Sequence, residues 1–97
     1  MAEVIWSKES RDDLEEIYLQ MLDTSSYFAD VWVDDVIKMT VRLETFPELG
    51  RVVPELKIKR IRECIVRQYR LIYEVRDKGL MVEIMAIRHS SRPLSDF

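Results

Sequence analysis

The sequence predicts an α+β fold: an N-terminal strand, then an antiparallel helical hairpin packed on a small, mostly antiparallel β-sheet, in the order β-α-α-β-β-β. Three observations carry this. Apolar residues recur with helical period from Ser7 to about Phe46. From about Ile58 to Arg88 they follow strand patterns instead. Pro47, Gly50 and Pro54 punctuate the stretch between, and a chain with only two glycines and three prolines has little room for long linkers. Ninety-seven residues suffice for one core, so residues 1–97 are read as a single domain.

Glu3-Val4-Ile5-Trp6 is a short apolar run ending at Ser7, a good helix N-cap, and reads as the opening strand. Leu14, Ile17, Tyr18, Met21 and Leu22 then follow helical spacing. Asp12, Asp13, Glu15 and Glu16 lie in the early turns, where the helix dipole favours anions. Asp23-Thr24-Ser25-Ser26 breaks the pattern and supplies a second cap. The second helix carries Phe28, Trp32, Val36, Met39, Leu43 and Phe46 on one stripe and Ala29, Val33 and Ile37 on another. So short a link makes the two helices an antiparallel pair.

Three strands are expected at about Ile58–Val66, Tyr69–Arg76 and Leu80–Arg88. Tyr69, Leu71, Tyr73 and Val75 alternate with Arg70, Ile72, Glu74 and Arg76, the pattern of a half-buried strand. Val82, Ile84 and Ala86 alternate with Met81, Glu83, Met85 and Ile87, so the last strand is apolar on both sides and reads as central. Asp77-Lys78-Gly79 is the turn between them, with Gly79 suited to a positive φ. Trp6, Phe28 and Trp32 are expected in the core, and Cys64 as a small buried hydrophobe.

With 47% apolar and 34% charged residues the composition is that of an ordinary folded domain. No stretch approaches the roughly 18 apolar residues of a membrane span, and Met1–Ser10 lacks the apolar region of a signal peptide. One cysteine excludes an internal disulfide framework and fits a reducing cytoplasm. One cysteine and one histidine make a protein-only zinc site implausible, and no metal or cofactor is expected.

The net charge of −3 conceals an asymmetry. Residues 1–50 carry four Lys/Arg against twelve Asp/Glu, a balance of −8, whereas residues 51–97 carry eleven against six, a balance of +5. Arginines are threaded through the strand patterns of the basic half. They suggest a cationic sheet face that meets an acidic partner, with Arg51, Arg62, Arg67 and Arg92 as contact candidates.

Several motifs follow one another in a telling order. Val4-Ile5-Trp6-Ser7 precedes an acidic amphipathic helix; then come Pro47-x-x-Gly50-Arg51, Pro54-Glu55, Tyr69-Arg70-Leu71-Ile72-Tyr73 and Arg88-His89-x-x-Arg92. In this order, over Val4–Leu94, they resemble the RelE/ParE superfamily, toxins of bacterial type II toxin–antitoxin modules. The resemblance implies neutralisation by a cognate antitoxin, in assemblies that are dimeric or larger. The antitoxin tail would lie along the helical hairpin and the sheet edge, burying apolar surface such as the Ala29, Val33 and Ile37 stripe, with acidic residues against the Arg-rich sheet.

The resemblance also implies one of two activities. The RelE and YoeB branch cleaves messenger RNA on the ribosome; the ParE branch poisons DNA gyrase and is no nuclease. Metal-free RNA cleavage needs a base, an acid and cationic donors around one phosphate. By resemblance Glu55, Arg70 and His89 stand where the nucleases carry such groups. Each also has a structural reading: Glu55 pairing Arg51, Arg70 pairing Glu63 or Glu83, His89 as a hydrogen-bonding residue. Ser90 stands where YoeB-like chains carry a tyrosine, and Ile61 and Glu63 where RelE-like chains carry lysines. The long hairpin and the acidic net charge resemble ParE more closely. The expectation is therefore a gyrase-directed toxin, with an mRNA endonuclease and a degenerate, antitoxin-binding member as alternatives.

Overall fold

The computed structural model describes residues 1–94. Its elements are β1 (Glu3–Trp6), α1 (Lys8–Leu22), α2 (Ser26–Thr45), β2 (Arg51–Val52), β3 (Ile61–Val66), β4 (Tyr69–Arg76) and β5 (Met81–His89), with a short turn at Asp77–Gly79 before β5. The strands form one five-stranded sheet in the order β1-β5-β4-β3-β2. β1 runs parallel to β5 and every other pairing is antiparallel. The α+β class and the order of elements agree with the sequence pattern. Two details differ. β3 begins at Ile61, because Ile58–Arg60 forms a turn closed by Ile61 N–H to Ile58 O. The preceding loop also contains β2, whose two residues are too few to show any alternation.

Both helices begin where the caps stand. Ser7 Oγ accepts from Ser10 N–H at 3.0 Å and also donates to Met85 O, tying the start of α1 to β5. Ser25 Oγ accepts from Phe28 N–H at 3.1 Å. The hairpin covers one face of the sheet, and the main core lies between them. Trp32, Val36 and Leu43 of α2 pack there on Leu71, Tyr73, Val82, Ile84 and Ile87. Phe28 lies at the open end of this stripe and is 44% exposed, so it is no core residue. Trp32 and Cys64 are buried as expected, and Trp6 packs at the margin.

The second sheet face is also covered. Val53, Ile61, Ile72, Ala86 and Leu94 form a smaller apolar cluster there, flanked by Leu56 and Ile58. The half-buried pattern read in β4 is thereby corrected: Arg70 and Ile72 are buried as well as Leu71 and Tyr73. The loop before β3 and the C-terminal Leu94 supply the cover that the alternation alone does not reveal.

The strict alternation expected in β5 is broken by a bulge. Ile72 pairs with Ala86 but Tyr73 pairs with Ile84, leaving Met85 as the extra residue. Val82 and Ile84 face the helices, Ala86 faces the smaller cluster, and Ile87 faces the helices again. A one-residue shift moves every later side chain to the other face. His89, opposite Tyr69 in the register, is thus carried to the helix side.

Candidate functional site

Four charged residues gather on the face of the sheet away from the helices. Glu63 stands in the middle of β3 with its side chain 0% exposed, and Arg70 stands diagonally from it on β4, 6% exposed. Arg70 Nε donates to Glu63 Oε1 at 2.6 Å. Its two terminal nitrogens donate to the two oxygens of Glu55 at 2.8 and 2.7 Å. Arg51 Nε donates to the remaining Glu63 oxygen at 2.7 Å. The result is an alternating chain, Arg51–Glu63–Arg70–Glu55, closed by a bidentate fork.

The local fold explains this convergence. Gly50 lets the segment before β2 press against β3: a Cβ there would lie 2.4 Å from the Glu63 backbone oxygen. Gly50 N–H donates to the Tyr73 hydroxyl at 2.9 Å. Val53 then anchors in the smaller apolar cluster, and the turn after it brings Glu55 over β4. The Arg70 hydrogen bonds hold the Glu55 carboxyl down at about 2, well below its usual range. The same bonds hold the Arg70 guanidinium above its ordinary value, against the opposing effect of burial. Burial pushes the Tyr73 hydroxyl up to about 12.

Glu55 and Arg70 therefore come together, and His89 does not join them. The register places His89 with Tyr69 on the helix face, where the two rings meet edge-on with centroids 5.2 Å apart. Its Nδ1 lies 2.7 Å from Ser91 Oγ. It lines a separate cleft of about 520 Å³ with Arg92 and acidic residues of α1. Glu55 takes Arg70 as its hydrogen-bonded partner, not Arg51. Arg70 takes Glu63, not Glu83, which pairs with Arg76.

The open cationic face expected from the strand arginines is largely neutralised inside the molecule. Arg67 pairs with Asp35 of α2, and Arg88 pairs with Glu9 and Asp13 of α1. Part of the charge asymmetry between the two halves is consumed in holding them together. Arg62 points to the helix side and donates to Gly50 O at 2.9 Å. The apolar stripe expected to receive a partner is also altered: Ala29 is fully buried, Val33 packs against the core, and Ile37 alone stands open. Ala29, with no exposed surface, leaves nothing for a partner to bury.

The sequence profile described as the ParE toxin of type II toxin–antitoxin systems, parDE, matches residues 4–94. The chain belongs to the ParE toxin family. No curated protein matched its sequence. Among solved structures, the chain is similar to the chromosomal ParDE toxin–antitoxin system from P. aeruginosa, with a TM-score of 0.74 at 18% identity, covering 92% of this chain and 96% of that one. It is also similar to the isolated E. coli RelE toxin, with a TM-score of 0.64 at 14% identity, covering 96% and 88%. The YoeB/ParE toxin from Agrobacterium tumefaciens gives 0.55 at 18% identity, covering 92% and 98%. At these identities the likeness is one of fold, shared by ParE and RelE alike. The protein is thus a ParE-family type II toxin with an antitoxin as partner, and the shared fold does not choose its target.

Glu63 is the residue of this charged cluster that the strand pattern does not single out. Its signal was present: a lone carboxylate among Cys64, Ile65 and Val66 in a strand needs a buried partner. Among the described residues, no group of three or more His, Cys, Asp or Glu is placed to hold a metal ion.

Proposed function

We propose that this toxin acts by binding DNA gyrase and stalling it, without cutting RNA, and that its antitoxin holds it inactive in the cytoplasm. The observation that carries the reading is the enclosure of Arg70. Its guanidinium is buried and its fork is already occupied by Glu55 and Glu63, so it offers little to a phosphate. Glu55, ionised and held by that fork, is a weak base for a 2′-hydroxyl. His89 stands on the opposite face of the sheet and cannot protonate a leaving oxygen at the same phosphate. With no base, acid and cation around one point, action through a protein target is the better supported reading, and the ParE family match points to gyrase.

The test is induction of the toxin without its antitoxin. Intact transcripts, a relaxed reporter plasmid and a DNA-damage response are the expected result. Transcripts cut within codons, with the cuts abolished by His89→Ala, would overturn the proposal. Soluble protein that leaves growth unaffected would instead favour a member that has lost toxicity.

A further inference from the structure

At the end of the sheet away from His89, the C-terminal end of α2, the start of β3 and the turn before β5 enclose a groove of about 850 Å³. Phe46, Leu49 and Val75 give it an apolar floor, and Phe46 is 59% exposed. Lys59, Arg60, Arg62 and Lys78 line it against a single acid, Glu48. Elsewhere the strand arginines Arg51, Arg70, Arg76 and Arg88, and Arg67 in the turn between β3 and β4, are all matched to carboxylates. In the groove only Arg60 is so matched, to Glu74. Among the described residues, Lys59, Arg62 and Lys78 have no carboxylate within ion-pair reach. Three unmatched cations thus meet around one open apolar patch in a chain of net charge −3, whereas Arg11, Arg42, Lys57 and Arg92, also without an ion pair among the described residues, do not line this groove.

We infer that this groove docks an acidic segment of a partner protein. An aliphatic or aromatic side chain of the segment sits on Phe46 and Leu49, and flanking carboxylates reach Lys59, Arg62 and Lys78. Charge complementarity selects an anionic occupant. The apolar floor between the cations selects a peptide over a nucleic acid, which would require a longer cationic track than an acidic chain provides. The groove is also preorganised. Arg62 is fixed through Gly50 O, and Lys78 is held in a left-handed turn (φ 55°, ψ 37°) closed by Leu80 N–H to Asp77 O. The inference stands independently of the gyrase reading, since it concerns the groove and not the identity of the target.

The test is an NMR titration of the full chain with the blocked hexapeptide Glu-Asp-Phe-Glu-Leu-Asp, beside hexaglutamate and a six-nucleotide thymidylate, at physiological salt. The expected result is saturable shifts at Phe46, Leu49, Lys59, Arg62 and Lys78, with binding at least about tenfold weaker for hexaglutamate. The double variant Lys59→Glu/Lys78→Glu, whose positions are exposed, should lose binding while its melting temperature is kept, and Phe46→Ser should weaken it. Equal binding of hexaglutamate would reduce the effect to unspecific charge attraction and overturn the proposal. Preference for the oligonucleotide, or no saturable shift at the groove, would overturn it as well.

Discussion

Arg70 Nε and Glu63 Oε1 lie 2.6 Å apart across β3 and β4, and the carboxylate has no exposed surface. Such a pair is worth little against an apolar replacement, yet removing one partner strands the other charge in a medium that cannot solvate it. Arg70 carries a second obligation, because its outer face ties down Glu55 and with it the loop over the smaller apolar cluster. The cluster therefore holds a loop to a sheet, and reads as architecture before it reads as chemistry.

Arg70→Ala is expected to cost up to about 3–5 kcal/mol of stability, the cost of a buried charge that has lost its buried partner and keeps only the exposed Arg51. The double replacement Glu63→Leu/Arg70→Met should recover most of that loss. Urea denaturation of the three proteins checks both statements. A single variant as stable as the parent would contradict the geometry.

Acid should weaken the loop through Glu55. Its folded pKa of about 2 lies below the ordinary 4.5, so its contribution is fully present above 4.5 and is lost as the pH falls towards 2. Melting temperature followed through this window should fall more steeply for the parent than for Glu55→Gln. Parallel curves would show that the Glu55–Arg70 bond contributes nothing.

Gly50 and Tyr73 form the second joint of this region. Tyr73→Phe removes the acceptor of Gly50 N–H inside the protein and is expected to cost about 1–3 kcal/mol. Gly50→Ala forces a Cβ against the Glu63 backbone and the Tyr73 hydroxyl, an overpacking expected to cost about 1–3 kcal/mol or more. Chemical denaturation measures both. An unchanged midpoint for Gly50→Ala would mean that β2 can move away from β3 freely.

His89→Ala should leave toxicity intact, because the ring stacks edge-on to Tyr69 and pairs with Ser91 on the helix side, away from Glu55 and Arg70. Colony formation after induction is the measurement. Loss of toxicity in a soluble, folded variant would return His89 to the functional site.

The hairpin was legible because its caps, Ser7 and Ser25, and its apolar stripes are local signals of helical period. The strands from Ile61 onward were legible for a similar reason. The second apolar cluster was not, because Val53, Ile72 and Leu94 meet only after the loop folds back. Nor does any local pattern announce the bulge at Met85, and that bulge decides which face His89 occupies. The expected cationic face is reduced by pairings of long range. Arg88 finds its partners at Glu9 and Asp13, and Arg67 finds Asp35, across separations that alternation along one strand does not encode. Glu55 and Arg70 were named from resemblance, and the fold gives them to each other.

The central claim is that the toxin engages gyrase without nuclease chemistry. It is tested most directly by adding the purified, antitoxin-free chain to gyrase, relaxed plasmid and ATP, with a ribosome translation reaction beside it. The account predicts dose-dependent loss of supercoiling, reversed by the antitoxin, while the translated message stays whole. Normal supercoiling together with cleaved message would contradict it.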